Sequence, residues 1–345
     1  MPRELVAIAP RTPVLRQYEE PQLASGEIRV RSDFSAPKHG TELRGYRADS
    51  KDDSAPFDGR RRMHVDEPRE ARFPRALGNI VVGAVSEVGR DVTRFVVGDR
   101  VFAHRPIRET HVGPAGAFHA APRGMSAEAL VYTDPAGVAL AAVRESHVRV
   151  GDRVAVMGLG AIGQMAAQIA RLQGARWIAV SDPIARRREL ALTHGADIAI
   201  DPLAEDVGAV IKDATDDTGV DVSLETSGNY AALNDTLRAT GYGGMVVSSA
   251  YYAGDARALS LEGEWHRNRL TIVSIRDQSA PMRDHPLWDP LRIAIEGHAL
   301  MAGGRLRVEG LVHPIVSFDE CAEAYRQIDE NPAESIKLGI RHASG

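Results

Sequence analysis

The stretch Arg153-Val154-Ala155-Val156-Met157-Gly158-Leu159-Gly160-Ala161-Ile162-Gly163 decides the fold. Val154–Met157 is a short apolar run with the length of a buried strand, and it leads directly into G-x-G-x-x-G. Beyond it, Ile162, Met165, Ala166, Ile169 and Leu172 recur at helical intervals. Each glycine has a chemical reason. Gly158 permits a tight turn, Gly160 lets the backbone approach a pyrophosphate, and Gly163 lets helix and strand pack closely. The helix N-terminus, reached through Leu159, Ala161 and Ile162, then faces the negative phosphates of a dinucleotide. A second run, Trp177–Val180, ends in Ser181-Asp182, and Asp182 lies 19 residues after Gly163. An acid at that place accepts the ribose hydroxyls of NAD and repels the 2′-phosphate of NADP. Arg186, Arg187 and Arg188 follow closely. They leave two readings open: solvated charges on a helix, or holders of a 2′-phosphate, with Arg187 the nearest to a cofactor role.

Working outward, apolar runs alternate with helical patterns from about 150 to 275: Val154–Met157, Trp177–Val180, Ile198–Ile200, Val220–Leu224, Gly244–Ser248 and Leu270–Ile275. That rhythm predicts a doubly wound parallel sheet. The first 130 residues differ. Glu27–Arg31 alternates like a half-buried strand, Ile80–Gly89 reads as a bent strand, and Val97–Phe102 as a turn into another. Residues 47–75 are rich in Asp, Arg and Pro and read as a long surface loop with the length of a lid. Near the end, Leu291–Met301 reads as a helix, Leu311–Val316 as a strand and Ile336–Ile340 as a closing strand. There is no internal repeat and no low-complexity tract.

The composition fits this picture. The chain has 345 residues, 43% hydrophobic and 26% charged, with a net charge of -5, enough for two domains with separate cores. The charge balance does not call for nucleic acid or a membrane surface. No run approaches the ~18 consecutive apolar residues of a membrane span, and the expected location is cytoplasmic. Cys321 is the only cysteine, which excludes an intramolecular disulfide and a zinc site of two or more thiolates.

With the glycine motif placed after residue 150 and a β-rich region before it, the chain resembles the medium-chain dehydrogenase/reductase superfamily, the alcohol dehydrogenase-like proteins. The resemblance spans nearly the whole chain. It rests on Gly40-Thr41-Glu42-Leu43, Gly83–Gly89, Val97–Val101, Gly151–Val154, Gly158–Gly163, Gly195–Asp197 and Asp221–Gly228. It implies an α/β protein with a GroES-like β-rich catalytic domain (1–130 and 285–345), a Rossmann doubly wound parallel-sheet domain (131–284), and a cleft between them. It also implies Thr226 and Ser227 beside the cofactor, a small polar substrate and a homodimer or homotetramer.

The family's catalytic zinc pattern is not matched. His39 stands where zinc-dependent relatives carry Cys, Asn79 follows Gly78 where they carry Gly-His-Glu, and Asp134 falls at the third ligand position. Asn is a poor zinc ligand, so the expectation is NAD(H) without zinc. The phrase Pro37-Lys38-His39-Gly40-Thr41-Glu42-Leu43 is similar to a zinc-lacking subgroup related to bacteriochlorophyllide and polyol dehydrogenases.

Without a metal, side chains must manage one proton and the developing alkoxide. The resemblance places a relay hydroxyl at Thr41. His39 titrates in a suitable range, and Asn79 would donate to the substrate oxygen. Structural roles compete for all three. Glu109, with His111 and His104 nearby in sequence, forms a second acid/base candidate. The expected reaction is NAD-dependent interconversion of a polar secondary alcohol, such as a sugar, cyclitol or aminosugar, and its ketone. The alternatives are reduction of an activated C=C bond, or redox-neutral chemistry such as epimerisation with retained NAD.

Overall fold

A computed structural model describes residues 1–67, 70–278 and 282–343. The chain divides into two compact units, Met1–Val131 with Val312–Gly345, and Tyr132–Leu311.

The second unit is built on a six-stranded parallel sheet. Its spatial order is Ile198–Ile200, Trp177–Ser181, Arg153–Met157, Val220–Glu225, Thr240–Ser248 and Thr271–Ser274. The strand order reverses beside Arg153–Met157, the switch point at which ligands bind such sheets. Val154, Ala155, Val156 and Met157 are all buried, as are Ile178, Ala179 and Val180. Central parallel strands are covered on both faces, so they read as continuous apolar runs. Each such Val or Ile contributes roughly 1.5–3 kcal/mol relative to exposure. The helix Ala161–Gln173 buries Met165, Ala166, Ile169 and Ala170 and stops at Gly174, whose φ of 119° suits a left-handed cap.

The helix Pro290–Ala302, expected in the catalytic domain, belongs to this second unit. It packs against the helix Thr133–Glu145 through small residues: a Cβ on Gly297 would lie 3.2 Å from the Gly137 nitrogen.

The first unit holds a seven-stranded sheet and a three-stranded sheet. Glu27–Ala36 is central in the larger one, pairing antiparallel with Ile80–Val88, Thr110–Pro114 and Gly339–Arg341. Arg100–His104 adds to the far edge of Ile80–Val88. Ile28, Val30, Val81, Val85, Val101 and Phe118 form one core, and Leu5, Tyr46, Leu77, Ile107, Tyr325 and Leu338 another. Cys321 is fully buried in the latter.

Three local expectations are corrected. The segment 47–75 is not a plain loop: it carries the end of a helix at Arg47, a short helix Lys51–Ser54, and a small ladder of Phe57–Asp58 with Met63–His64. Asp53 and Arg75, 2.6 Å apart, tie its two ends together. The strand expected over Leu311–Val316 is found only at Ile315–Ser317: the Leu311 N–H closes a turn onto the Val308 carbonyl, and His313 forms an isolated bridge with Lys337. The closing strand begins only at Gly339: Lys337 forms an isolated bridge with His313, and the Leu338 N–H donates to His39 Nε2 rather than to a strand.

Candidate functional site

The glycine-rich turn of the second unit is held from three sides. Gly158 has a φ of +86°, and a Cβ there would lie 2.7 Å from the Ser227 Cβ. A Cβ on Gly163 would collide with the Gly158 carbonyl oxygen. Gly160 is different, since a Cβ there meets nothing within 4 Å. The space over Gly160 is therefore an open cradle at the start of the Ala161–Gln173 helix, where no side chain caps the helix end. Backbone N–H groups at such an end suit an anionic pyrophosphate.

Asp182 ends the second strand and is 3% exposed. Its Oδ2 accepts from the Leu159 N–H at 2.7 Å and its Oδ1 from the Ile184 N–H at 2.9 Å. Each carboxylate oxygen retains capacity for a further donor. Arg187 Nη1 lies 3.5 Å from Asp182 Oδ2, and Arg188 is paired with Asp201 at 2.9 Å. Arg186 is exposed.

Thr226 donates to the Gly158 carbonyl at 2.7 Å, which ties the loop after Val220–Glu225 to the glycine turn. Sequence reasoning quoted Glu225 but assigned it no role. Its buried carboxylate accepts from the Ser227 N–H at 2.8 Å, the Gly228 N–H at 3.1 Å, the Ser227 hydroxyl and the Tyr252 hydroxyl. Burial pushes the Glu225 carboxyl above its ordinary range, and these donors oppose the shift. The sequence signal is an acid directly before Thr-Ser-Gly at a strand end, where the N–H and hydroxyl donors of the following turn converge.

In the first unit, the end of the strand Glu27–Ala36 leads through Pro37 and Lys38 into the helix His39–Arg47. His39 and Thr41 lie in its first turn. His39 Nε2 accepts from the Leu338 N–H at 3.0 Å, so the neutral ring carries its proton on Nδ1. Asn79 is brought to the same strand end: its N–H donates to the Ala36 carbonyl at 3.0 Å. Asn79 Oδ1 lies 3.3 Å from His104 Nδ1.

Glu42 supports this cluster from below. Its Oε1 accepts from the Gly78 N–H at 2.6 Å and the Tyr325 hydroxyl at 2.7 Å, and its Oε2 from the Lys38 N–H at 3.0 Å. Burial raises the Glu42 carboxyl, while these donors and the nearby Lys337 lower it.

Glu109 joins a different cluster. Its carboxylate accepts from the Arg3 guanidinium at 2.8 Å and from the Arg3 N–H at 2.7 Å. His111 is buried, its Nε2 has no hydrogen-bond partner, and burial lowers it to about 3. Asp134 starts the helix Thr133–Glu145 in the second unit. Among the described residues, no three His, Cys, Asp or Glu side chains are grouped to hold a metal ion, and no helix is long and apolar enough to cross a membrane.

Comparison with known proteins places these features. Residues 56–174 match the alcohol dehydrogenase GroES-like domain and 161–283 the zinc-binding dehydrogenase family. D-guloside 3-dehydrogenase of Escherichia coli K12 is 41% identical over 98% of this chain and 99% of its own length. The chain belongs to the medium-chain dehydrogenase/reductase superfamily.

Solved dehydrogenase structures share the fold. The 2R,3R-butanediol dehydrogenase of Bacillus subtilis superposes with a TM-score of 0.77 at 22% identity, covering 99% of both chains. A Sinorhizobium meliloti chain described as a zinc-binding dehydrogenase, bound to NADP, gives 0.77 at 18% identity over 99% of both. Like the superfamily, this chain pairs a GroES-like β-rich domain with a Rossmann parallel-sheet domain. It is an alcohol/polyol dehydrogenase-like oxidoreductase that uses a nicotinamide cofactor on a small-molecule substrate.

Proposed function

We propose that the chain is a zinc-independent, NAD(H)-dependent dehydrogenase that interconverts a secondary hydroxyl of a glycoside and its ketone, with the 3-hydroxyl of a D-guloside as the substrate of choice. The observation that carries this reading is the 41% identity to D-guloside 3-dehydrogenase over essentially the full length of both chains. NAD over NADP is supported by Asp182, a buried carboxylate at the end of the second strand with Arg187 beside it. Added negative charge from a 2′-phosphate would meet that carboxylate. The pyrophosphate would sit over Gly160, held by the N–H groups of the helix end.

Zinc independence is supported by the donor set. The His39 Nε2 lone pair already faces the Leu338 N–H, and the second family ligand position is an amide, Asn79. Asn79 does not suit zinc, which takes thiolate, imidazole or carboxylate, and the His39 imidazole has its Nε2 lone pair engaged.

When bound, the nicotinamide ring supplies hydride transfer. The chain's own residues handle the oxygen and the proton. Thr41 hydrogen-bonds the substrate hydroxyl, and the Asn79 amide N–H donates to the oxygen as charge develops on it. His39 takes the proton at Nε2, directly or through Thr41, and gives up the Leu338 bond as it does so. Glu109, held by Arg3, acts as a structural acid in this reading. The active assembly is a homodimer or homotetramer in the cytoplasm.

The reading is tested by incubating the protein with methyl D-guloside and NAD, then reducing the product with borodeuteride. Deuterium at position 3 is expected. Unlabelled sugar, or label elsewhere, would overturn the assigned position.

A further inference from the structure

A cavity of about 560 Å³ opens in the first unit, between Pro2 and Arg3, the strands that carry Arg31 and Thr110, and the segment 315–343. That volume suits a small organic molecule. Every residue lining it lies in Met1–Val131 or Val312–Gly345. None belongs to the glycine-rich turn or to the group of His39, Thr41 and Asn79.

One wall is fixed by several contacts. Arg3 is held by Glu109 at 2.8 Å and by Asp319 at 2.7 Å, and its guanidinium lies 5.2 Å from the centre of the Phe318 ring. Phe318 in turn stacks on His342, with ring centres 4.7 Å apart. His342 is only 5% exposed. Its Nε2 lies 2.8 Å from the Ser35 hydroxyl, while its Nδ1 has no hydrogen-bond partner among the described residues. Buried polar atoms without a partner are uncommon in folded proteins. When the Ser35 hydroxyl donates to Nε2, the neutral ring carries its proton on Nδ1 and is a donor there.

The charges around the cavity do not cancel. Arg3, Arg31 and Arg341 face Glu109 and Asp319, three cations to two anions, in a chain whose net charge is -5. Both carboxylates are engaged with Arg3. Arg31 and Arg341 hold no ion pair or side-chain hydrogen bond among the described residues; Arg31 acts on Asp33 only through space, lowering its carboxyl. A guanidinium presents a planar fork of donors that matches a carboxylate or a phosphate. The Asp319 side chain is 74% exposed and keeps lone pairs for hydroxyl donors.

We propose that this cavity is a second small-molecule site, one that takes a polyhydroxylated anion: a sugar phosphate or a sugar acid. Arg31 and Arg341 bind the anionic group, the His342 Nδ1–H supplies a buried donor, and Asp319 accepts from hydroxyls. The proposal does not depend on which alcohol the enzyme oxidises.

Calorimetric titration of the full-length protein tests it, with NAD present at saturation so that the glycine turn is occupied. The probes are glucose 6-phosphate, gluconate, inorganic phosphate and glucose. Glucose 6-phosphate or gluconate should bind with a Kd of about 1 mM or tighter, and inorganic phosphate and glucose at least about tenfold more weakly. The tighter of the two sugar anions distinguishes phosphate from carboxylate. Arg31→Gln and Arg341→Gln, both at exposed positions, should each weaken that binding by about 10–100-fold, the effect of losing a charge-assisted hydrogen bond, with Tm and NAD affinity unchanged. Arg90→Gln removes an exposed arginine outside the cavity and should bind as wild type does. Three results would each overturn the proposal: no binding of either sugar anion, wild-type binding in both Arg31→Gln and Arg341→Gln, or an equal loss in Arg90→Gln. So would glucose or inorganic phosphate binding as tightly as the sugar anions.

Discussion

The Asp182 carboxylate accepts a hydrogen bond from the Leu159 backbone N–H at 2.7 Å, so the acid that ends the second strand also braces the glycine-rich turn. In the proposed reading, cofactor selectivity and loop geometry therefore share one side chain. Asp182→Ala should weaken NAD binding by about 10–100-fold, the size of a charge-assisted hydrogen bond of about 1.5–3 kcal/mol. NADP binding should change less, narrowing the gap between the two. Titration with both dinucleotides measures this. Equal affinities in the wild type would move selectivity to Arg186 and Arg187.

Gly160 and Gly163 separate binding from folding. A side chain on Gly163 would strike the Gly158 carbonyl, whereas one on Gly160 meets open space. Gly163→Ala should lose about 1–3 kcal/mol of stability, the usual cost of overpacking. Gly160→Ala should keep the wild-type Tm and lose NAD affinity by at least about tenfold, because the methyl group fills the space over which a pyrophosphate must pass. Thermal unfolding with and without NAD distinguishes the two. Unchanged NAD affinity in Gly160→Ala would displace the cofactor from this turn.

His39 is the proposed proton acceptor. His39→Ala should lower kcat by about 10²–10⁴-fold, the ordinary range for a general acid/base, with NAD affinity retained. A variant with near-normal turnover and an unaltered pH profile would remove His39 from the mechanism.

The buried histidines predict how stability depends on pH. Burial lowers His111 to about 3 and His342 to about 4, both below the ordinary value of 6.5. The unfolded chain then binds protons that the folded chain refuses. Their contribution is full above pH ~6.5 and falls as pH drops toward these folded values, by up to about 1.4 kcal/mol per pH unit for each group. The raised Glu42 and Glu225 carboxyls work in the opposite sense, so the comparison is between variants. His111→Phe should flatten the stability curve by about one proton between pH 6.5 and 4. Parallel curves for variant and wild type would contradict it.

How much of this was legible beforehand depends on which residues carry the signal. The parallel strands were readable because Val154–Met157 and Ile178–Val180 are buried on both faces, which leaves an uninterrupted apolar run. The glycine turn was readable because sterics permit few other residues at Gly158 and Gly163. The helix His39–Arg47 was not. Gly40, Thr41 and Gly45 are poor helix formers, and the helix is held instead by Glu42 on its own Lys38 N–H and by the burial of Leu43 and Tyr46. The setting of Glu109 was equally hidden, because its partner Arg3 is 106 positions away. The buried Lys337 gave no local pattern at all. Its partner is the Pro37 carbonyl, 300 positions away, which only the folded first unit brings to it.

Metal analysis addresses the departure from the zinc-binding relatives. Protein purified without chelators should contain far less than one zinc per chain, and prolonged dialysis against a chelator should leave turnover unchanged. Stoichiometric zinc, lost together with activity and restored together with it, would show that His39 and Asn79 are arranged differently in the working enzyme.

The central claim is net, NAD-coupled oxidation of a glycoside hydroxyl, and absorbance in the reduced-nicotinamide band tests it most directly. Purified protein is mixed with NAD and methyl D-guloside, and in parallel with NADP. The account predicts that NADH accumulates in step with the keto product and that NADP gives much less. Product formed without net NADH, or no change in the band with either cofactor, would contradict it.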